Sequence, residues 1–314
     1  MKKSILLSLF ILFISLYASF DNDKNLVPFD YINILFPHSH NFDNYLIIVE
    51  KSTQQAGLYI TVDSLSIKYN LINTYQVSTG REQGNKVRRG DLKTPEGLYI
   101  TSIFFDEETL LNRYGSIASQ YGYGAYELGY PNELDRIRRK TGSGIWIHGT
   151  DVPLTAYDSE GCIRFDNDVI SYFKNDINLT NTPVIINDTI EWVEIDFLLQ
   201  EIEEILLIIS KWLNSWIEQD IYEYLSFYCH DDFISHRQKM DYSSWENHKK
   251  RIFNPNSLVQ INLTNYEYYY ANNLLLVTFI QEYKSPLVQS KGKKSIVLKK
   301  ANDSWIIIQE EFYP

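Results

Sequence analysis

The sequence predicts a two-domain protein of mixed class, in which a mainly-β domain precedes an α+β domain. Its 314 residues exceed the usual size of one domain. Short runs of β-branched and aromatic residues dominate up to about residue 188, which is typical of strands. A long helical pattern and then four strand-like runs follow, and helices ahead of an antiparallel sheet are typical of α+β domains.

The composition indicates a packed globular protein and argues against a nucleic-acid partner. Hydrophobic residues make up 44% of the chain, and there are only 14 Gly and 9 Pro, so disorder and low complexity are excluded. Lys and Arg number 29 and Asp and Glu number 40, which gives a net charge of −11. Nucleic-acid binding needs a basic surface, so we expect no nucleic-acid partner.

The N-terminus has the order of a signal peptide. Lys2 and Lys3 precede an apolar run over residues 4–16, and the small residues Ala18 and Ser19 follow. We predict a signal peptide over residues 1–19, export to the periplasm, and an N-terminal arm over residues 20–44. The apolar stretch nearly reaches the length of a membrane span, so retention as an anchor stays open.

The first domain is predicted over residues 45–188. Strand patterns alternate with turn residues, a polar loop covers residues 81–94, and a helix is expected at 167–175. The predicted strands are 46–49, 58–62, 71–77, 98–104, 145–147 and 183–186.

The second domain is predicted over residues 206–314, after a linker helix at 189–205. Apolar residues recur at spacings of three and four from Leu198 to Ile217, which predicts an amphipathic helix. A helix at 243–253 is expected next, followed by strands at 258–263, 274–283, 294–299 and 305–312.

Two residues carry the chemistry that the sequence suggests. Cys162 follows Gly161, and His148 ends a predicted strand 14 positions earlier, so both side chains could reach one cleft as nucleophile and base. Gly161 would let nearby backbone amides approach a developing oxyanion. From these residues alone, a purely structural role stays open, in which Cys162 is buried and His148 forms a hydrogen bond in the core. Cys229 lies in an apolar run and is expected to be inert, although a bridge between the two cysteines is formally possible.

Four motifs in order resemble the catalytic domain of L,D-transpeptidases of the YkuD type. They are KTPEGLY at 93–99, YPN at 130–132 with Asp135, GIWIHGT at 144–150 and SEGCIR at 159–164. The resemblance implies cleavage of the peptide bond after the L-centre of diaminopimelate, through a Cys thioester in peptidoglycan stem peptides.

The resemblance also implies roles for individual residues. Cys162 would be the nucleophile and His148 the base, with the carbonyl of Gly149 orienting the imidazole. Arg164 would meet a substrate carboxylate, with pairing to a nearby Asp166 or Asp168 as the alternative. One position departs from the family, because Glu160 stands where His is usual. The expected substrate-binding residues are Arg164, Ser159, Gly161 and Tyr123.

The second domain resembles the nuclear-transport-factor-like (SnoaL-like, NTF2-like) cone. Together the two domains resemble the shape-determining peptidoglycan L,D-carboxypeptidases of helical and curved bacteria, which implies trimming of tetrapeptides to tripeptides with water as acceptor. Transfer to an amine, for crosslinking or protein attachment, is the alternative, and a non-enzymatic wall-binding protein is a third.

The expected partners are peptidoglycan stem peptides, and no cofactor is expected. A zinc peptidase is the rival enzyme class, but His230, His236 and His248 lack the His-Glu-x-x-His order, so we expect no metal. A homodimer, and membrane association through an uncleaved N-terminal segment, stay open.

Overall fold

The computed structural model describes residues 26–29, 44–61, 69–254, 257–301 and 304–314. The predicted signal peptide lies outside these residues, as does most of the predicted arm. The chain divides into two compact units. The first covers residues 40–191, and the second covers residues 192–314 together with the N-terminal segment that includes 26–29.

The first unit is built on an eight-stranded mixed sheet, whereas β1 (Leu26–Pro28) belongs to the second unit. Its strands are β2 Tyr45–Glu50, β3 Gln55–Thr61, β4 Tyr69–Gln76, β5 Gly97–Asp106, β6 Gly124–Leu128, β7 Trp146–His148, β8 Ile163–Arg164 and β9 Pro183–Asn187. They lie in the order β4-β3-β2-β9-β5-β6-β7-β8. The pairs β2–β9 and β7–β8 are parallel, and the other neighbours are antiparallel.

Short helices connect these strands. They are α1 Glu107–Tyr114 with a 3-10 segment Gly115–Tyr121, α2 Glu133–Ile137, and α3 Asn167–Tyr172 with a π-helical turn Phe173–Ile177. Asp106 caps α1 by accepting from the backbone N–H of Thr109 at 2.9 Å. Asn132 and Asp135 form a reciprocal capping box at the start of α2.

One apolar core supports the end of the sheet that carries the chemistry. Side chains from β2, β3 and β9 pack with those of β7 and β8, and each buried aliphatic side chain contributes about 1.5–3 kcal/mol. Ile147 and Ile163 are opposite each other in the parallel β7–β8 pair and are fully buried. The residues next to them, His148 and Arg164, are therefore held in fixed register.

In the described residues of the second unit, three helices combine with a four-stranded antiparallel sheet in the order β13-β14-β15-β16. β1 pairs with β10, and β11 pairs with β12. Its strands are β10 Trp192–Glu194, β11 Ile234–Ser235, β12 Met240–Asp241, β13 Gln260–Ala271, β14 Leu274–Lys284, β15 Gln289–Ala301 and β16 Ser304–Tyr313, and its helices are α4 Ile195–Glu218, α5 Ile221–Ser226 and α6 Tyr242–Ile252.

The linker helix predicted at 189–205 differs from the structure. Residues 192–194 form β10, and α4 runs without a break across the predicted boundary at 205/206. The reason is that the apolar repeat continues through Ile202, Ile209 and Trp212, which are buried, and Trp212 packs on Phe279 of the sheet with ring centroids 6.1 Å apart. The whole helix therefore belongs to the second unit. Among the described helices, none is both long and apolar enough to cross a membrane.

The interior of the second unit holds a buried charge cluster. Glu310 accepts from Lys294 at 2.5 Å and lies 3.4 Å from Lys249. Its other oxygen accepts from the hydroxyls of Tyr224 and Tyr228. These bonds satisfy a carboxylate that is only 2% exposed and lower its pKa to about 2 despite the opposing effect of burial.

Candidate active site

His148 is the last residue of β7, and its ring is held by the residue that follows it. The side chain is 3% exposed, and Nδ1 lies 2.6 Å from the carbonyl oxygen of Gly149. A carbonyl can only accept, so Nδ1 carries the proton and Nε2 keeps its lone pair. The imidazole is thus in the tautomer that a general base requires.

Cys162 directly precedes β8 on a turn that requires glycine. Gly161 has φ +124°, and a Cβ at that position would come 2.7 Å from the carbonyl oxygen of Lys93. Ser159 braces the same turn, since its hydroxyl donates to the carbonyl of Cys162 at 2.6 Å and accepts from the N–H of Gly161 at 3.1 Å. The N–H of Gly161 is therefore engaged in the turn, and the expectation that amides near Cys162 approach a developing oxyanion stays a prediction.

The two reactive side chains open into one cleft of about 430 Å³. His148, Cys162, Arg164 and Ser159 all line it, so four of the residues singled out from the sequence come together. The charged side chains that line the cleft are Arg81, Lys86, Arg89, Arg164 and Glu160. Lys86 is paired with Asp91 at 2.7 Å, but the lining stays predominantly basic, which suits an anionic substrate.

Burial shifts the pKa of both reactive groups toward their uncharged forms. It lowers the pKa of His148 to about 4, with the nearby Arg164 acting in the same direction and the bond to Gly149 opposing it. It raises the pKa of the Cys162 thiol to about 11, although Arg164 favours the thiolate. The resting pair is therefore a thiol and a neutral imidazole.

Arg164 lies beside Cys162 and is paired with neither Asp166 nor Asp168. Its Nη1 lies 3.3 Å from Asp158, whose carboxylate also accepts from Nε of Arg81 at 3.4 Å. The Nε of Arg164 is buried without a hydrogen-bond partner among the described residues. The guanidinium is thus tethered at one end while it still lines the cleft.

Tyr123 lies outside the residues that line the cleft, and Tyr121 lies inside. The Tyr121 ring meets the imidazole of His148 edge to face, with centroids 5.0 Å apart at 78°. Tyr123 is 40% exposed, and its hydroxyl accepts from Asn175 at 2.8 Å. The sequence offered one signal for Tyr121, its place in a segment rich in Tyr and Gly, but no pattern there separates the two tyrosines.

Glu160 lies at the rim of the cleft. Its side chain is 75% exposed and lies 3.9 Å from Nη1 of Arg81. An exposed pair at this distance contributes little to stability. The residue that replaces the usual His therefore places a negative charge at the entrance rather than a second imidazole next to Cys162.

The described residues provide no evident metal site. Within them, no group of three or more His, Cys, Asp or Glu side chains is placed to hold a metal ion. Cys162 and Cys229 are both free thiols and both half-buried.

Two known protein families match consecutive parts of this chain. Residues 44–186 match the L,D-transpeptidase catalytic domain (YkuD), and residues 204–311 match the Cds6 C-terminal NTF2-like domain. The first part of the chain thus matches an L,D-transpeptidase catalytic domain and the second part an NTF2-like domain, which confirms the fold class and the resemblance expected from the sequence.

Two solved structures are similar to this chain along nearly its whole length, and one relative is similar over part of it. Bd1075 of Bdellovibrio bacteriovorus is 29% identical over 92% of this chain and 98% of its own, with a TM-score of 0.60. The helical cell shape determining protein Pgp2 of Campylobacter jejuni shares the fold at 23% identity, over 96% of this chain and 99% of its own, with a TM-score of 0.66. YafK of Escherichia coli (strain K12) is 30% identical over 112 residues, which are 35% of this chain and 40% of YafK.

Proposed function

We propose that the protein is an L,D-carboxypeptidase that removes the terminal D-alanine from peptidoglycan stem tetrapeptides. The observation that carries this proposal is the single cleft lined by Cys162, His148 and Arg164. A thiol and a base can together carry out acyl transfer, and the guanidinium beside them can bind a terminal carboxylate of the substrate.

The reaction runs in two acyl-transfer steps. The thiol proton of Cys162 passes to Nε2 of His148 as sulfur attacks the carbonyl carbon on the L-centre of diaminopimelate. The tetrahedral intermediate collapses to a thioester, and the D-alanine nitrogen leaves with the proton from His148. Water then loses a proton to His148 and attacks the thioester, which releases the tripeptide and restores the thiol.

Arg164 is assigned to the substrate carboxylate, and Ser159 and Gly161 are assigned to the shape of the turn that presents sulfur. When the substrate carboxylate is bound beside the nucleophile, the scissile carbonyl is oriented toward the sulfur. Gly149 acts through its carbonyl on His148. The exposed position of Tyr123 gives no support for a substrate contact, so that residue is left out of the proposed machinery.

Water is favoured over an amine as the acceptor for two reasons. The two-domain arrangement is shared along nearly the whole length of Pgp2, a protein named as a determinant of helical cell shape. Glu160 also changes the rim where an acceptor amine would arrive. A role in setting cell shape, and a location in the cell envelope, follow from the same proposal.

One digest tests the proposal. Purified disaccharide tetrapeptide is incubated with the mature protein at acceptor levels comparable with those in the wall, and the products are separated by chromatography and mass spectrometry. We expect disaccharide tripeptide and free D-alanine as the main products. Dimers with links between two diaminopimelate residues as the main product would establish the transpeptidase alternative, and unchanged substrate would favour a wall-binding protein.

A further inference from the structure

The amide of Asn167, on the first residue of α3, joins two loops behind His148. Its Oδ1 accepts from the backbone N–H of Tyr123 at 2.8 Å. Its Nδ2 donates to Oδ1 of Asp151 at 2.9 Å. One side chain therefore connects the loop before β6 to the loop after β7, and the proposed reaction gives it no part.

Two glycines make room for this amide. A Cβ on Gly122 would lie 2.0 Å from Oδ1 of Asn167, and a Cβ on Gly149 would lie 2.1 Å from the same atom. Separations this short do not occur between non-bonded heavy atoms, and Gly149 does not have a positive φ. Space for Asn167, rather than backbone freedom, therefore explains why residue 149 has no side chain.

The Gly149 peptide is consequently held from two sides. Its N–H donates to the carbonyl of Gly124 at 3.1 Å, and its Cα lies against the amide of Asn167. The carbonyl of the same residue accepts from Nδ1 of His148 at 2.6 Å. Any rotation of the Gly149 backbone would move this carbonyl and release the imidazole.

We propose that Asn167 is a positioning residue, which fixes the Gly149 carbonyl and thereby keeps the His148 imidazole as the Nδ1–H tautomer with Nε2 facing the cleft. This inference rests on the proposed role of His148 as the base. It extends the expected Cys162, His148 and Gly149 set by one residue, whose contact with Tyr123 spans 44 positions of sequence.

The test uses the full mature chain and two readouts. Nitrogen NMR of 15N-histidine-labelled protein reports the tautomer without substrate, and the His148 signals are assigned by their loss in His148→Gln. We expect Nδ1–H alone in the wild type and a mixture of tautomers in Asn167→Ala. For tetrapeptide, kcat should fall at least about tenfold while KM changes less than about threefold, because the base is misplaced and the substrate contacts stay.

Two further variants distinguish a displaced His148 imidazole from a general defect in folding. Asn175→Ala is the matched control, since it removes a 2.8 Å bond to the Tyr123 hydroxyl from the same neighbourhood and should leave the tautomer and kcat unchanged. The exchange Asn167→Asp with Asp151→Asn keeps an acceptor at 167, the bond between the two side chains and the net charge, so it should restore the Nδ1–H form.

A double-mutant cycle provides the final check. Asn167→Ala should lower kcat no further in a His148→Gln background, because its effect passes through the imidazole. The inference is overturned if Asn167→Ala keeps a pure Nδ1–H signal and a kcat within twofold of wild type. It is also overturned if the decrease in kcat caused by Asn167→Ala adds fully to the decrease caused by His148→Gln. If the protein turns over no tetrapeptide, the proposed function fails, and the NMR signals still decide the tautomer.

Discussion

At the scale of single residues, the cleft holds its nucleophile and base in uncharged form. Burial raises the pKa of Cys162 and lowers that of His148, and a neutral pair avoids the desolvation cost of a buried ion pair. A thiolate–imidazolium ion pair at rest is the arrangement that a cation beside a thiol would favour. The structure instead favours transfer of the proton as the substrate carbonyl arrives.

The lowered pKa of His148 predicts an unusually acidic limb in the pH profile. The base works only when unprotonated, so kcat/KM for tetrapeptide should stay nearly level from pH 7 to pH 5 and fall as the pH approaches about 4. Initial rates from pH 3.5 to pH 8 measure this, with circular dichroism at each pH to confirm folding. A midpoint near the ordinary histidine pKa of about 6.5 would contradict the burial argument.

Replacement of the nucleophile predicts a clean loss of turnover. Cys162→Ala should abolish product formation while the melting temperature stays within a few degrees, because one sulfur in an open cleft contributes little packing. Cys229→Ala is the matched control and should keep wild-type rates, since Cys229 belongs to the second unit. Residual turnover above about 1% in Cys162→Ala would assign the nucleophile elsewhere.

At the scale of secondary-structure elements, the long periodic segments were predicted, whereas several short elements were missed. The apolar repeat that predicts a helix from Leu198 to Ile217 lies within α4. All four late strands were predicted, although β13 continues eight residues beyond the predicted end at residue 263. The prediction had no helix at α1 or α2 and no strand at β6. These elements are five to eight residues long, too short for a periodic signal, and for the two helices the capping residues were the available clue.

The buried cluster of the second unit predicts a large loss of stability for a near-isosteric change. Glu310→Gln leaves Lys249 and Lys294 buried without their carboxylate, which should lower the free energy of unfolding by about 3–5 kcal/mol. Urea unfolding followed by tryptophan fluorescence measures it. Trp146 is the only tryptophan between residues 40 and 191, so most of the signal comes from the second unit.

Two controls test whether the loss of stability in Glu310→Gln comes from the buried charge. One is a variant of an exposed ion pair, and the other is the pH dependence of stability. Glu282→Gln removes the exposed partner of Lys291 and should lower the free energy of unfolding much less than Glu310→Gln does. The lowered pKa of Glu310 means that its stabilisation is present above the unfolded value of about 4.3 and is lost as pH falls toward 2. The difference between wild type and Glu310→Gln should therefore narrow below about pH 4. A constant difference would argue against a charge effect.

At the scale of the whole molecule, the chemistry belongs to one unit. All residues assigned to the reaction lie within residues 40–191, which contain the eight-stranded sheet and its own core. The second unit has a separate four-stranded sheet and its own buried residues. A positioning role on the polymer is the contribution that we expect from it.

We expect removal of the second unit to lower the reaction rate by an amount that depends on substrate size. A chain of residues 40–191 should turn over soluble disaccharide tetrapeptide within about tenfold of the full mature protein and lose much more on intact sacculi. Release of D-alanine from both substrates measures the two rates, with Cys162→Ala in the same truncation as the blank. Equal losses on both substrates would show that the second unit supports the catalytic domain itself.

The sequence by itself predicted the two-part fold and the proposed nucleophile and base, because these predictions depend on residue types in local motifs and on long apolar periods. Only the tertiary structure decided that Tyr121 rather than Tyr123 contacts His148, that Arg164 pairs with Asp158, and that Asn167 fits between two glycines. These contacts depend on how loops between the strands pack against one another. Local spacing does not encode that packing, since it follows from register and side-chain volume across the whole sheet.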